Sequence, residues 1–198
     1  MLRERVTEDV YVFISDLYIE VASTVIITPE GALVVDTLPF PEETRQVRDF
    51  ALRRCPEGIR YVVNTHYHAG HVYGSYLFPE AELVSHRLCR QILLNVGEES
   101  LEQAKIQTPA LANVELRIPQ LVFETDLLIR LGEKTIHMIR APGHTPDGVM
   151  VHVREDKVLI ASDVVTPVPF VVQGSLDELA SSLSWIKTLT LENVIQGH

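Results

Sequence analysis

The sequence has few of the features that mark membrane, secreted or nucleic-acid-binding proteins. Its 198 residues contain no apolar run approaching the roughly 18 residues of a transmembrane helix. Only two cysteines are present, Cys55 and Cys89, which are too few for a disulfide framework and are typical of a reducing compartment. The formal net charge of −10 gives no overall basic surface for binding phosphates. We therefore expect no membrane and no general nucleic-acid partner.

The beginning of the chain and its composition indicate a globular protein of the cytoplasm. Residues 1–5 are charged almost from the start and lack the apolar core of a secretory signal, which favours a cytoplasmic location. Hydrophobic residues make up 46% and charged residues 22%, proportions at which a chain of this length forms one substantial core. We expect a single domain over residues 1–198.

Alternating apolar residues and turn signals predict strands in both halves of the chain, with helices between them. Strands are predicted at 10–14, 23–28, 32–36, 59–63, 82–85, 120–123, 126–131, 134–140, 149–153 and 158–161, and before Gly197. Helices are predicted at 41–54, about 87–96 and 177–189. The segment from Gly97 to Pro119 is predicted to be either a cover over a site or a flexible loop. This distribution favours a layered α/β sandwich.

Three histidines within six residues are the most informative feature of the sequence. His66, His68 and His71 follow the strand predicted at 59–63. His66 and His68 point the same way on an extended segment, and the turn that Ala69-Gly70 permits brings His71 round to them. Because imidazole binds divalent metals such as zinc well, the cluster predicts a metal site that lacks one further ligand.

Metal-binding residues also follow three other predicted strands. His144 lies in a Pro/Gly turn, Asp163 comes directly after the strand at 158–161, and His198 ends a Gly-His pair after a third strand. Side chains at strand ends of layered α/β folds tend to meet at one edge. This coincidence of strand ends is better evidence for a site than any single residue.

In this order of motifs the chain resembles the metallo-β-lactamase superfamily over nearly its whole length. The motifs are the His-x-His-x-x-His loop, the Gly143-His144-Thr145 turn, the strand-end Asp163 and the final Gly197-His198. The strand-end Asp36 resembles the family's early aspartate, which supports the histidine loop. The resemblance implies a four-layer αββα sandwich with the site at one edge of the paired sheets.

The resemblance also implies a ligand set and a cofactor of one or two zinc ions, with iron or manganese as alternatives. One metal would be held by His66, His68 and His144, a second by His71 and His198, and Asp163 would bridge them. His144 and Asp163 would be the catalytic residues. A metal-bound hydroxide would then attack the carbonyl of a small-molecule ester, lactam, lactone or thioester.

Gly70 departs from the family pattern, because the family has a metal-binding aspartate at this place. Glycine offers no ligand, so we expect weaker or no occupancy of the second site and an activity reduced by that loss. The first site keeps its three histidines, and a mononuclear hydrolase remains chemically possible. Natural divergence, an engineered substitution and loss of catalysis each account for Gly70.

The chain ends at His198, where the family ordinarily continues with another strand and helix. We therefore expect the αββα sandwich to lack that last strand and helix, and a ligand to lie on a terminus that frays. The sequence leaves the oligomeric state open.

Two functions of other classes remain open beside the hydrolase. His66, His144 and Asp163 form a two-histidine, one-carboxylate set, the arrangement of non-haem iron oxygenases, and the family includes persulfide dioxygenases with one iron. A non-catalytic metal-binding domain is the third possibility. Metal content, oxygen dependence and carbonyl hydrolysis distinguish the three.

Several further residues carry smaller predictions. Asn64 and Thr65 are expected to hydrogen-bond the histidine loop, and residues 167–170 to form a substrate wall. Tyr73 and His86 face the cavity or pack in the interior.

Overall fold

The computed structural model describes residues 1–198, and its strands form two sheets. The first sheet has seven strands that neighbour one another in chain order. They are β1 (Leu2–Arg5), β2 (Val10–Ile14), β3 (Ala22–Thr28), β4 (Gly31–Val35), β5 (Ile59–Asn64), β6 (Glu82–His86) and β7 (Leu121–Phe123). The second sheet has five strands in the order β12-β11-β10-β9-β8. They are β8 (Asp126–Leu131), β9 (Lys134–Arg140), β10 (Val149–Val153), β11 (Val158–Ser162) and β12 (Asn193–Gln196).

One core lies between the two sheets because both present β-branched and aliphatic side chains to each other. Val10, Ile26 and Val63 of the first sheet pack in one cluster with Met138 and Val151 of the second. Such residues suit a pleated surface, and their burial supplies most of the stabilisation that holds the sheets together.

Helices cover the outer face of each sheet. The helix α1 (Pro41–Arg54) buries Val47, Phe50 and Ala51 against the first sheet. Much later in the chain, an amphipathic helix at Leu176–Ile186 packs Leu179 against the second sheet. The order helix, sheet, sheet, helix is the four-layer αββα sandwich that the resemblance implied.

Shorter helices lie between β5 and β7. They are α2 (Ala69–Val72), α3 (Arg87–Ile92) and α4 (Glu98–Gln107), with one π-helical turn at Leu93–Gly97 between α3 and α4. The helix of the outer layer at Leu176–Ile186, which follows β11, is named α5. The segment that the sequence left as a cover or a loop is thus largely helical. Leu93, Leu101 and Leu111 pack there with Val72, next to the histidine loop. No residue from Gly97 to Pro119 lines the cavity beside the histidines, so the segment supports the loop and does not cover the site.

The chain places the ends of several strands at one edge of the sandwich. β4 and β5 are parallel, and so are β11 and β12, so the carboxyl ends within each pair lie together. Asp36, His66, Asp163 and His198 follow these four strands within two residues. This edge therefore gathers the polar side chains that the sequence singled out. No helix of the molecule is long and apolar enough to cross a membrane.

Candidate metal centre

The structure brings all six predicted ligands together at this edge. His66 and His68 lie in the loop after β5, and His71 lies in α2. His144 comes from the connection between β9 and β10, Asp163 follows β11, and His198 follows β12. The residues fall into two groups whose ligand atoms lie within 4.8 Å of one another, and Asp163 belongs to both.

The first group consists of His66, His68, His144 and Asp163. The Nδ1 atom of His68 lies 3.1 Å from Nε2 of His66 and 3.1 Å from Nε2 of His144. Oδ2 of Asp163 lies 3.2 Å from Nε2 of His144 and 3.7 Å from Nε2 of His66. These atoms surround one point at the edge of the sandwich.

The second group consists of His71, His198 and the same Asp163. Nε2 of His71 lies 3.4 Å from Oδ1 of Asp163, and Nε2 of His198 lies 3.3 Å from Oδ2. Oδ1 is buried and has no hydrogen-bond partner. Asp163 therefore lies between the two groups, with each oxygen near an imidazole of the second.

Four of the five imidazoles are fixed by an acceptor on the side away from the cluster. Nδ1 of His66 lies 3.1 Å from Oγ1 of Thr65, and Nδ1 of His71 lies 2.9 Å from Oδ2 of Asp36. Nδ1 of His144 lies 2.6 Å from the carbonyl oxygen of Phe170, and Nδ1 of His198 lies 2.8 Å from the carbonyl oxygen of Ile19. A carbonyl or carboxylate only accepts, so Nδ1 of His71, His144 and His198 carries the proton. Their Nε2 atoms therefore face the cluster and are the nitrogens left to ligate a metal, which displaces any proton they carry.

This donor set fits a cation. The inward-facing Nε2 atoms of His66 and His144 each lie 3.1 Å from a third nitrogen, Nδ1 of His68, beside an ionised carboxylate. Around an ion with zinc–nitrogen bonds of about 2.05 Å, tetrahedral ligand atoms lie roughly 3.3 Å apart. The buried, unpartnered Oδ1 of Asp163 likewise needs a positive partner. We therefore treat the cluster as a candidate metal centre.

Asp36 supports the histidine loop from beneath. Its Oδ1 accepts from the backbone N–H of Thr65 at 2.7 Å, and its Oδ2 accepts from the Thr65 hydroxyl at 2.7 Å and from the Ser162 hydroxyl at 3.2 Å. The same Oδ2 accepts from Nδ1 of His71. Asn64 adds a donor to the carbonyl of His71. Thr65 and Asn64 thus hydrogen-bond the loop as the sequence predicted.

Burial and neighbouring charges shift the pKa values of the cluster in opposite directions. Burial and the neighbouring imidazoles lower the pKa of His68 to about 4 and hold that of His66 well below its usual range. For His71 burial acts in the same direction, but the carboxylates of Asp163 and Asp36 raise its pKa to about 10. Despite its burial, Asp163 has a pKa well below the ordinary value because of His71 and His198. His66 and His68 are therefore neutral and able to ligate at neutral pH.

Two glycines shape the site. A Cβ at Gly197 would collide with the carboxylate and backbone of Asp163, so the Gly-His pair needs glycine to bring its histidine so close. At Gly70, a Cβ would lie 3.2 Å from Cε1 of Tyr18 and 3.5 Å from Cγ2 of Val21. The Tyr18 ring thus packs against the place where a side chain at position 70 would begin.

Some residues beside the cluster were not predicted from the sequence. Tyr18 and Ile19 line the cavity beside the cluster, together with Val168 and Phe170 of the predicted wall. Nothing in the local pattern of Tyr18 and Ile19 distinguishes them from an ordinary turn. Two residues of undecided position, Tyr73 and His86, do not line this cavity. Tyr73 packs in one cluster with Leu93 and Leu101, and His86 caps α3 and contacts the Glu124 carbonyl.

Asp147 is a buried acid that the sequence did not single out. It is fully buried, neither of its oxygens has a hydrogen-bond partner, and burial raises its pKa to about 6. The folded state therefore holds a proton that the unfolded chain releases near pH 4, so this group stabilises the fold at low pH. That contribution falls as pH rises from about 4 to about 6, by about 3 kcal/mol in total.

Replacing Asp147 with asparagine is expected to remove this dependence. The difference in unfolding free energy between Asp147→Asn and the wild type should shift by about 2 kcal/mol in favour of the variant between pH 4 and pH 7.5. Urea unfolding at the two pH values, with a chelator present throughout, measures it. The exposed Asp49→Asn serves as control, and a constant difference for Asp147→Asn would contradict a raised pKa.

Comparison with known proteins agrees with this architecture. The sequence model of the metallo-beta-lactamase superfamily matches residues 19–198. Among solved structures, a metallo-beta-lactamase from Pontibacter korlensis is similar, with a TM-score of 0.81. The match covers 100% of this chain and 90% of that chain at 17% sequence identity. At this identity the structural likeness shows the fold alone.

Proposed function

Because this chain belongs to the metallo-beta-lactamase superfamily, we propose that it is a metal-dependent hydrolase. Its substrates would be carbonyl compounds such as esters, lactams, lactones or thioesters. The observation that carries the proposal is the convergence of five imidazoles and one carboxylate at one edge of the sandwich, where four of the imidazoles and the carboxylate line a cavity of about 720 Å³. A cavity of this size accommodates a small organic molecule.

His66, His68 and His144, together with Asp163, would hold the first ion, and His71 and His198 would hold a second with the shared Asp163. We propose zinc, because neutral imidazoles and a carboxylate are ligands that zinc prefers. When bound, such an ion supplies a Lewis acid that polarises a carbonyl and lowers the pKa of water toward neutrality.

Backbone carbonyls and two carboxylates of the protein orient the histidine rings and give the site its negative charge. The carbonyls of Phe170 and Ile19 hold the rings of His144 and His198 in the ligating tautomer. Asp163 is ionised and its oxygens face imidazoles of both groups, so it supplies the negative charge that two neighbouring ions would share. Asp36 keeps the His71 ring in place from the opposite side.

Metal removal tests this proposal. Hydrolysis of a panel of chromogenic esters, thioesters, lactones and lactams is measured before and after treatment with a chelator, and again after zinc is returned. We expect hydrolysis of at least one class, its loss with the chelator and its recovery with zinc. Hydrolysis that is indifferent to the chelator, or no hydrolysis by the zinc-loaded protein, contradicts the proposal.

A mononuclear iron dioxygenase is the second candidate. The observation that favours it is Gly70, which leaves the second group with three candidate ligands against four in the first. His66, His144 and Asp163 form the two-histidine, one-carboxylate set, although His68 lies equally close. One iron per chain and consumption of oxygen with a persulfide would support this reading, and zinc-dependent hydrolysis would exclude it.

Gly70→Asp is expected to strengthen the second site. The new carboxylate would add a ligand beside His71, and we expect the second ion to bind at least roughly tenfold more tightly. Its Cβ approaches the Tyr18 ring at 3.2 Å, so the ring must move by a few tenths of an ångström. Competition with a chromogenic chelator measures the affinity of each ion.

Gly70→Ala is the matched control, since it makes the same contact with Tyr18 without offering a ligand. Equal affinities in Gly70→Ala and Gly70→Asp would show that a carboxylate at position 70 does not reach the second ion. The double variant Gly70→Asp, Tyr18→Ala then shows whether the Tyr18 ring prevents the carboxylate from reaching the second ion.

A further inference from the structure

The cavity beside the cluster has two walls of apolar side chains that lie in solvent. One wall comes from the loop before β3, where Tyr18 is 36% and Ile19 70% exposed. The other comes from the loop after Asp163, where Val168 is 76% and Phe170 63% exposed. Large apolar groups gathered around one cavity indicate a binding surface, because water covers them at a free-energy cost that a ligand would remove.

Away from the cluster, the cavity has no basic side chain. Its ionisable residues are Tyr18, Asp163 and four histidines of the cluster, and no lysine or arginine contributes to its lining. A carboxylate or phosphate at the far end of a substrate would therefore lose its hydration without gaining a cation. The walls accept an uncharged group and disfavour an anionic one.

Both walls are tied to the cluster through their backbones. The carbonyl of Ile19 accepts from His198, and the carbonyl of Phe170 accepts from His144. Ile19 also has a φ of +35°, a strained conformation for a β-branched residue. The backbones of both walls are thus anchored next to the cluster.

Gly70 belongs to the same arrangement. Since position 70 has no side chain, the Tyr18 ring packs directly against the histidine loop and contacts the Phe40 ring edge to face at a centroid distance of 6.2 Å. The space where the family has an aspartate side chain at position 70 is thus bordered by the Tyr18 ring, which makes this part of the cavity less polar.

Building on the proposed hydrolase function, we infer that the substrate carries an uncharged, apolar acyl group, and that Ile19, Val168 and Phe170 bind it. The ester, thioester or lactone carbonyl lies at the cluster, and the acyl chain extends between the two loops. Specificity then depends on the length and charge of the acyl group.

Acyl-length selectivity tests the inference. The rates compared are kcat/KM for 4-nitrophenyl acetate, butyrate and hexanoate and for the 4-nitrophenyl monoester of adipic acid, which matches hexanoate but ends in a carboxylate. We expect roughly a threefold gain for each methylene group buried, on the order of eighty-fold from acetate to hexanoate, and discrimination against the adipate ester. A flat profile or a preference for the adipate ester overturns the inference.

Val168→Lys places a cation in the wall and is expected to reduce the hexanoate-to-adipate ratio roughly tenfold. Ile106→Lys is the control, because Ile106 has the same exposure of 76% on α4 and does not line the cavity. Equal ratios in Val168→Lys and the wild type would contradict the assignment of the wall.

A binding measurement separates failure of the inference from failure of the proposed function. Hexanophenone and acetophenone are uncharged ketones that are not hydrolysed, and calorimetry measures their affinity. Tighter binding of hexanophenone that is weakened in Val168→Lys supports the wall even if no ester is hydrolysed. Hydrolysis without any dependence on acyl length, and equal binding of both ketones, retains the hydrolase and rejects the wall.

Discussion

Asp163→Asn is expected to lower kcat/KM for the best ester substrate by at least roughly a thousandfold. Asp163 is the only residue that belongs to both ligand groups, with Oδ2 within 3.3 Å of His144 and His198 and Oδ1 3.4 Å from His71. Asparagine has nearly the same shape but no charge, and its amide group cannot ligate through nitrogen. The remaining amide oxygen can ligate only one ion, so at least one ion would lose a ligand and the site would lose its negative charge.

Steady-state kinetics and metal content measured on the same samples check this result. Asp126→Asn is the control, since Asp126 is a half-exposed carboxylate on β8 that contacts His137 and lies outside the cluster. Circular dichroism shows whether both variants retain the fold. An Asp163→Asn protein that keeps its metal and more than about a tenth of its activity would contradict the bridging role.

Asp36→Asn is expected to weaken metal binding roughly 10–100-fold and to destabilise the fold by about 3 kcal/mol. Oδ2 of Asp36 accepts from Thr65, Ser162 and His71, all of them buried. An amide nitrogen in this position donates instead, and it would favour the His71 tautomer with the proton on Nε2. That tautomer has no lone pair facing the cluster. Asp36 therefore acts as a positioning residue.

Nitrogen NMR of the histidine rings reports this tautomer directly, which a general loss of stability would not change. Asp156→Asn is the control, because Asp156 accepts from Thr7 and Lys134 away from the cluster. Asp156→Asn should lower stability and keep metal affinity. If Asp36→Asn lowers metal affinity no more than Asp156→Asn does, the positioning role is wrong.

Most strands and the two main outer helices could be predicted from sequence because each bears a clear local signal. Helix α1 begins at Pro41 and ends at Arg54 as predicted, with acids in its first turn and arginines in its last. The strands β2, β8, β9 and β10 have the predicted bounds. β1 was missed, because its Leu-Arg-Glu-Arg sequence is exposed throughout and becomes a strand only by pairing with β2.

The convergence of the six candidate ligands was predictable because their motifs follow strands, and strand ends meet in this fold. What each ligand does in catalysis stays a prediction. The apolar walls were harder to foresee. Val168 and Phe170 were expected near the site from their closeness to Asp163 in the chain, whereas Ile19 is separated from His198 by almost the whole chain. Such contacts are determined by tertiary packing, which no local pattern records.

Gly70 is another position at which the sequence alone does not predict the contacts that the fold makes. From the sequence it is only a missing ligand, whereas the structure adds that the Tyr18 ring packs against its Cα. Whether this packing compensates for the lost carboxylate depends on contacts between residues more than fifty positions apart.

Metal content per chain, determined by elemental analysis on protein loaded with zinc and then freed of excess metal, tests the central claim most directly. We predict one tightly bound zinc ion in the first group, a second, more weakly bound ion in the second group, and loss of the tightly bound ion in His144→Ala. Protein that retains no ion, or retains as much in His144→Ala as in the wild type, would contradict a metal centre at this edge of the sandwich.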